Sequence, residues 1–121
     1  MSDRVVVLGA SSKPERYSNK AMQTLVEQGY DAVPVHPRES EVCGTPVVAD
    51  LADVPSPVHT ITVYVRPDIF REMLDALIAL QPARVILNPG TEDVHAATRL
   101  RESGVEVVEA CTLVMLRTGQ F

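Results

Sequence analysis

Five short runs of aliphatic and β-branched residues, separated by segments of helical character, constrain this chain most. The runs cover residues 4–9, 31–35, 59–65, 84–87 and 105–108. The first is continuously hydrophobic, which indicates a strand buried on both faces, as in a parallel sheet. Strands that alternate with helices predict an α/β, Rossmann-like three-layer domain with a five-stranded parallel sheet. Numbering the runs along the chain, we predict the strand order 3-2-1-4-5.

Apolar spacing and end signals predict helices between these strands. One helix is predicted over residues 18–28, with Ser18 as its N-cap and Gly29 just beyond its end. Others are predicted over 68–80, over 91–103 with Thr91 as the cap, and from about residue 111. Between the second and third strands we predict a loop at 36–45, an extended piece at 46–48 and one helical turn at 51–54.

Length and charge limit the classes of function. The 121 residues contain no linker or repeat, so we expect a single domain over residues 1–121. Eleven basic and sixteen acidic side chains give a net charge of −5, which disfavours nucleic acid as a partner. No apolar run approaches the roughly 20 residues that cross a bilayer, so we expect no membrane partner.

The cysteines, the histidines and the N-terminus offer no metal or export signal. Cys43 and Cys111 form no redox or ligand motif, and the histidines are scattered, so no metal site is expected. The residues at 1–4 lead straight into a strand and show no signal peptide. We therefore expect a reducing, cytoplasmic location.

The loop after the first strand is the strongest candidate for binding phosphate. Ligands of doubly wound sheets bind at the carboxyl ends of the strands, where the strand order reverses, here expected between strands one and four. Small residues let backbone N–H groups approach a pyrophosphate, a helix start adds partial positive charge, and basic side chains complete the site. The loop supplies Gly9, Ala10, Ser11, Lys13, Arg16 and Ser18. The alternative is an ordinary polar loop with solvated charges.

The end of the second strand indicates which nucleotide fits. The first loop is neither G-x-G-x-x-G nor a P-loop, and Asp31 stands at the wrong end of its strand to hold the ribose of NAD. The sequence after the strand is instead His36, Pro37 and Arg38. A cation there suits the phosphorylated ribose of coenzyme A or NADP. A solvated loop arginine is the alternative.

The ends of the third and fourth strands supply further candidates. Arg66 is placed to reach a phosphate or an adenine, or else to pair with an acid of the following helix. Asn88 offers an amide to a ligand, and Gly90 allows close backbone approach, although both also suit a plain turn. No catalytic motif accompanies them, so we expect no catalytic residues, and the sequence favours a non-enzymatic role without deciding it.

The order and spacing of these residues resemble the stand-alone CoA-binding domain family. The similarity lies in residues 5–11, 16–19, 29–30, 33–37, 65–66 and 88–91 and in Cys111, so it covers nearly the whole chain. The same fold forms the N-terminal part of the succinyl-CoA synthetase α-subunit. His36 departs from the family, whose members often carry asparagine before the proline. The synthetase needs further domains, so its activity is not carried over.

The resemblance implies a coenzyme A site, with the ligand free or acylated. It implies that the first loop lies near the phosphates, that 36–38 surround the adenosine, and that Val65, Arg66, Asn88 and Gly90 line the rest. The leading hypothesis is a non-catalytic or accessory CoA-binding protein with a small-molecule nucleotide ligand, whose edge strands allow a homodimer. The alternatives are an NADP-type protein or reductase component, and an interaction module with a vestigial site.

Overall fold

The computed structural model describes residues 3–121. Met1 and Ser2, within the segment examined for a signal peptide, lie outside the described residues. The strands are β1 Arg4–Leu8, β2 Asp31–Val35, β3 Glu41–Val42, β4 Thr45–Pro46, β5 Thr60–Val63, β6 Arg84–Leu87 and β7 Glu106–Glu109. The helices are α1 Tyr17–Glu27, α2 Pro67–Ala79, α3 Val94–Glu102 and α4 Thr112–Arg117, with a 3-10 turn at Leu51–Asp53. In this part of the chain no helix has the length and apolar character to cross a bilayer.

The predicted α/β fold is confirmed, and the predicted strand order is corrected. Within residues 3–121, five parallel strands form one sheet in the order β2-β1-β5-β6-β7, and β3 and β4 pair as a small antiparallel hairpin. The third predicted strand, β5, therefore lies beside β1 and not outside β2. The order reverses between β1 and β5, so the switch point is there and not between the first and fourth strands.

Proline and burial explain this order. The Pro34 carbonyl accepts from Val48 N–H at the outer edge of β2, at 2.9 Å. The Pro34 nitrogen therefore faces that same edge, where it has no proton to donate to a further strand. Every residue of β5 is buried, and four apolar or threonine side chains in a row require cover on both faces. The place between β1 and β6 is the middle of the sheet, where helices pack on both faces.

The helices cover the sheet on both faces and produce the predicted three layers. On one face, α2 and α3 pack Phe70, Leu74 and Leu100 against alternate residues of the central strands. On the other face, α1 and α4 contribute Met22 and Leu116 to a smaller apolar cluster. Burying one such large side chain stabilises the fold by about 1.5–3 kcal/mol. The two helix layers hold the strands in place, and so they also position the loops that contain the candidate ligand-binding residues.

Three predicted local features are placed differently. The N-cap of α1 is Arg16, so Ser18 lies inside the first turn. The N-cap of α3 is Asp93, because the hydroxyl of Thr91 donates instead to the Asn88 carbonyl at 2.7 Å. The predicted loop at 36–45 contains the start of the β3–β4 hairpin, whose turn places Cys43 and Gly44 at φ values of 51° and 77°.

Candidate functional site

The carboxyl ends of β1, β2 and β5 border a groove that consists of two adjoining cavities. The larger has a volume of about 790 Å³ and is called the polar lobe. It is lined by Gly9, Ser11, Lys13, Arg16, Tyr17, Ser18, His36, Arg38, Glu39, Tyr64 and Pro89. The other has a volume of about 570 Å³ and is called the apolar lobe. Four residues line both cavities, namely Gly9, His36, Arg38 and Tyr64.

The polar lobe brings together the three basic side chains predicted for a phosphate. Lys13 and Arg16 come from the β1–α1 loop, and Arg38 follows β2. The start of α1 borders the same space, and its N-cap residue makes no side-chain hydrogen bond to the helix. The partial positive charge of a helix start therefore adds to the three cations. Chemically, this arrangement is suited to hold an oxyanion.

The missing side chain of Gly9 lets the end of β1 lie close to the end of β5. The φ of Gly9 is +88°, and a Cβ built there would lie 2.8 Å from Val65 Cγ1. The N–H groups of Gly9 and Ala10 both donate to the Val35 carbonyl, at 2.9 and 3.2 Å. The Gly9 and Ala10 N–H groups that were expected to approach a pyrophosphate are thus engaged with β2, and their contact with a ligand remains a prediction. Ala10 is fully buried and lines neither lobe.

Glu39 lines the polar lobe. The sequence analysis did not identify it as a site residue. Its carboxylate accepts from Ser12 N–H at 2.7 Å and so ties the segment after β2 to the β1–α1 loop. This hydrogen bond lowers the pKa of the Glu39 carboxyl, and the nearby Lys13 lowers it further. The only sequence signal was an acid just after the basic residue at the end of strand two.

His36 organises the turn that carries Arg38 and Glu39. Its ring Nδ1 accepts from the N–H of Arg38 at 3.0 Å and from the N–H of Glu39 at 3.1 Å. Both bonds require a lone pair on Nδ1, which fixes the neutral tautomer with its proton on Nε2. The ring is half-buried and borders both lobes.

The apolar lobe lies between the end of β2, the 3-10 turn, the end of β5 and α2. The predicted residues Pro37, Val65 and Arg66 line it. The sequence analysis missed its other apolar walls, which are Leu8, Val35, Ala49, Leu51, Ile69, Met73 and Ala76. A cavity whose aliphatic walls are bordered by charged side chains suits a flat or flexible apolar moiety with polar ends. Arg66 pairs with Asp68 at 3.4 Å, and both side chains are exposed.

Tyr64 is one of the residues that border both lobes. Burial raises the pKa of its phenol to about 12. Its hydroxyl is buried and has no hydrogen-bond partner among residues 3–121. Below it, the hydroxyls of Thr62 and Thr112 bond each other at 2.7 Å. Tyr64 therefore stays neutral at physiological pH and adds no charge to the groove.

Asn88 and Gly90 line neither lobe. The Asn88 amide donates to Thr62 Oγ1 at 2.7 Å and to the Val63 carbonyl at 2.9 Å, and its oxygen accepts from Thr112 N–H at 2.9 Å. The Gly90 N–H donates to the Glu92 carboxylate at 2.7 Å. The polar groups expected to reach a ligand are thus engaged within the protein, and their ligand contacts remain predictions.

The thiols and acids add no metal centre to this groove. Cys111 is half-buried just before α4, and Cys43 is exposed on the hairpin. Residues 3–121 contain no group of three or more His, Cys, Asp or Glu side chains that could hold a metal ion.

The comparisons with known proteins show the family of this chain. A model of the CoA binding domain family matches residues 3–117. The chain belongs to the CoA-binding domain family. The crystal structure of an uncharacterized protein superposes with a TM-score of 0.94 at 35% identity, covering 100% of this chain and 99% of that one. The Bacillus subtilis (strain 168) protein YneT is 24% identical over 107 residues, which are 88% of this chain and 79% of YneT.

A larger enzyme shares the fold of this CoA-binding domain. The dinucleotide forming acetyl-coenzyme A synthetase 1 of Ca. Korarchaeum cryptofilum, in complex with phosphate and ADP, matches with a TM-score of 0.77 at 19% identity. The match covers 89% of this chain and 25% of the synthetase chain. At this identity the likeness shows the fold alone.

Proposed function

We propose that this protein binds coenzyme A, free or acylated, in the two-lobed groove, and that it catalyses no reaction by itself. The observation that carries the proposal is the gathering of Lys13, Arg16 and Arg38 at the start of α1, beside an apolar cavity. Coenzyme A combines charged phosphates with a flat adenine ring, so its two chemistries match the two lobes. Family membership supports the same ligand.

The residues present fit such a ligand. Lys13 and Arg16 would hold the pyrophosphate, with Ser11 and Ser18 as hydroxyl donors, while Arg38 would pair with the ribose phosphate. The bare Cα of Gly9 leaves room where a methyl group would meet Val65. His36, Pro37 and the aliphatic walls would enclose the adenosine, and Val65 and Arg66 would border the remainder. The ligand supplies a thiol, whereas these side chains supply binding and orientation.

The non-catalytic part of the proposal rests on the ring of His36, the histidine that borders both lobes. The Nδ1 of His36 is occupied by two backbone N–H groups. Among residues 3–121, no serine or cysteine side chain hydrogen-bonds this ring. A general base with an activated nucleophile would need that contact. We therefore propose a carrier or accessory role.

An NADP-type ligand is the second candidate, and one observation favours it. Arg38 follows β2, where a cation selects a phosphorylated ribose in either nucleotide. A reductase would also need a second substrate site beside the nucleotide.

Location and assembly complete the proposal. Both cysteines are free thiols, and Cys43 is exposed, which fits the reducing cytoplasm that we propose. The outer edge of β7 is an edge of the sheet, and we propose that a second copy pairs there to form a homodimer. Analytical ultracentrifugation tests that assembly.

Calorimetric titration with coenzyme A, acetyl-CoA, NAD and NADP tests the function. We expect the two CoA ligands to bind and NAD not to bind. Arg16→Glu and Arg38→Glu should each weaken binding at least about tenfold, because each replaces an attraction to phosphate with a repulsion. Arg101→Glu, an equal change of charge at an exposed site outside both lobes, should leave the affinity unchanged. Binding of NADP alone would favour the reductase, and binding of none would favour an interaction module.

A further inference from the structure

In the segment after β2, a single side-chain atom accepts two backbone hydrogen bonds. The chain from His36 to Glu39 folds back so that two consecutive N–H groups, those of Arg38 and Glu39, point at the Nδ1 of His36. The donor–acceptor distances, 3.0 and 3.1 Å, are those of ordinary N–H···N hydrogen bonds. A lone pair on one ring nitrogen thus replaces the acceptor that Asn or Asp side chains usually provide in such turns.

This turn sets the shape of both lobes. Arg38 borders both of them, and Glu39 leaves the turn to accept the Ser12 N–H of the phosphate loop at 2.7 Å. A continuous chain of hydrogen bonds therefore runs from His36 through Glu39 to the loop that carries Lys13. If the first bonds in this chain are lost, both the cation after β2 and the brace on the loop lose their support.

We propose that His36 is a positioning residue whose unprotonated Nδ1 holds the 36–39 turn in its ligand-binding shape, so that ligand affinity falls when His36 is protonated. A protonated Nδ1 carries a hydrogen and repels the two N–H groups that now bond it. Protonation of a histidine occupies this lone pair, whereas the amide oxygen of an asparagine in the same place stays an acceptor. The proposal rests on the proposed function.

Whether protonation of His36 raises or lowers ligand affinity distinguishes a direct contact with phosphate from a positioning role. The charged groups around His36 bear on this comparison. Those that line the same cavities are Lys13 and Arg16 from the β1–α1 loop, Arg38 and Glu39 from the turn, Asp50 before the 3-10 turn, and Arg66 and Glu72 from the start and middle of α2, beside neutral Tyr64. Were His36 a simple cationic contact, protonation would strengthen the binding of a phosphate. A positioning role through Nδ1 predicts the opposite.

The test is the affinity for coenzyme A of the wild type, His36→Asn and His36→Ala, measured by calorimetry at about pH 8 and about pH 5.5. The asparagine amide oxygen can accept the same N–H groups without titrating. The 3′-phosphate of the ligand also takes up a proton near pH 6, and His36→Asn reports that contribution alone. We expect the wild type to weaken about fivefold more than His36→Asn as the pH falls. His36→Ala should bind about fivefold or more weakly than His36→Asn at both values, because alanine offers no acceptor at either pH.

Several outcomes would overturn the proposal. They are equal pH profiles for the wild type and His36→Asn, affinity that rises on acidification, or wild-type affinity in His36→Ala. Amide exchange of Arg38 and Glu39 in the ligand-free protein provides a readout that does not need binding. Their protection should fall at low pH in the wild type but not in His36→Asn, and unchanged protection would contradict the turn mechanism. Failure of the wild type to bind at pH 8 would instead refute the proposed function, and the exchange data would still decide the role of Nδ1.

Discussion

Gly9 is the residue at which the sheet and the groove constrain each other most closely. It adopts φ +88°, and an added Cβ would lie 2.8 Å from Val65 Cγ1 and 3.2 Å from the Tyr64 carbonyl carbon. We expect Gly9→Ala to lower the free energy of unfolding by about 2–4 kcal/mol, because backbone strain and steric overlap add. Urea denaturation measures this loss.

Gly104 provides the matched control for that substitution. It has a similar φ of +85°, but nothing lies within 4 Å of the position of its Cβ. Gly104→Ala should therefore cost only the backbone strain, about 1–2 kcal/mol. Equal losses in the two variants would show that contact with the β5 end does not constrain Gly9.

At this scale the sequence predicts some groove residues and not others. The small and basic residues of the first loop carried a local signal, since they follow a strand and precede a helix. Tyr64 and Met73 carried none, because only the strand order and the crossing of α2 bring them to the groove, and Glu39 carried only its place beside Arg38. The orientation of the Gly9 and Ala10 N–H groups was also out of reach, because it depends on the pairing of β1 with β2.

Between elements, Asn88 is the link among β5, β6 and α4. It is buried, and its side chain makes hydrogen bonds to Thr62, Val63 and Thr112. Asn88→Ala should lower the free energy of unfolding by about 2–4 kcal/mol, because it leaves buried polar partners unpaired. For a domain of this size that corresponds to a fall in Tm of about 10 °C or more, which calorimetry would detect. A change below about 1 kcal/mol would mean that these bonds are replaced without cost.

The ion pair between α2 and the start of α3 predicts a pH dependence of stability. Arg71 forms a bidentate pair with Asp93 at 2.6 and 3.0 Å, which lowers the pKa of the Asp93 carboxyl below its ordinary 3.8. A lowered pKa contributes stability that is present above the ordinary value and is lost as the pH falls through the folded-state value. Arg71→Leu should therefore be less stable than the wild type near neutrality, and the gap should close below about pH 4.

The same substitution at Arg66 is the control for that pH dependence. Arg66 pairs with Asp68, and both side chains are largely exposed, at 75% and 69%. Exposed pairs contribute little, so Arg66→Leu should follow the wild type at every pH. Acid unfolding followed by circular dichroism compares the three proteins, and a gap for Arg71→Leu that persists at acid pH would contradict the assignment.

Element types were predictable from the sequence, whereas their neighbours were not. Hydrophobic runs and helical spacing identify the five strands of the main sheet and the four helices, because burial and periodicity act locally. Strand order depends on which edge can accept a partner. Pro34 did signal that pairing ends at β2, and this signal already argued against a third strand outside it. The 2-residue strands of the hairpin are too short for any periodicity to appear.

Over the whole molecule, the distribution of charge matters more than its sum. The chain carries a net charge of −5, yet Lys13, Arg16 and Arg38 gather around one cavity at the switch point. An acidic surface repels nucleic acid while a local cluster of cations still holds one small anion. The apolar lobe beside the cluster extends the site beyond a simple phosphate pocket.

The most direct test is a titration of the ¹⁵N-labelled protein with coenzyme A, followed by the backbone amide resonances. The account predicts saturable shifts at residues 11–18, 36–39 and 64–66, around the two lobes. It predicts little change at 101–106, which lie at the amino end of β7 and so at the opposite edge of the sheet from the groove. Shifts concentrated elsewhere, or none at millimolar coenzyme A, would contradict the claim that this groove is a coenzyme A site.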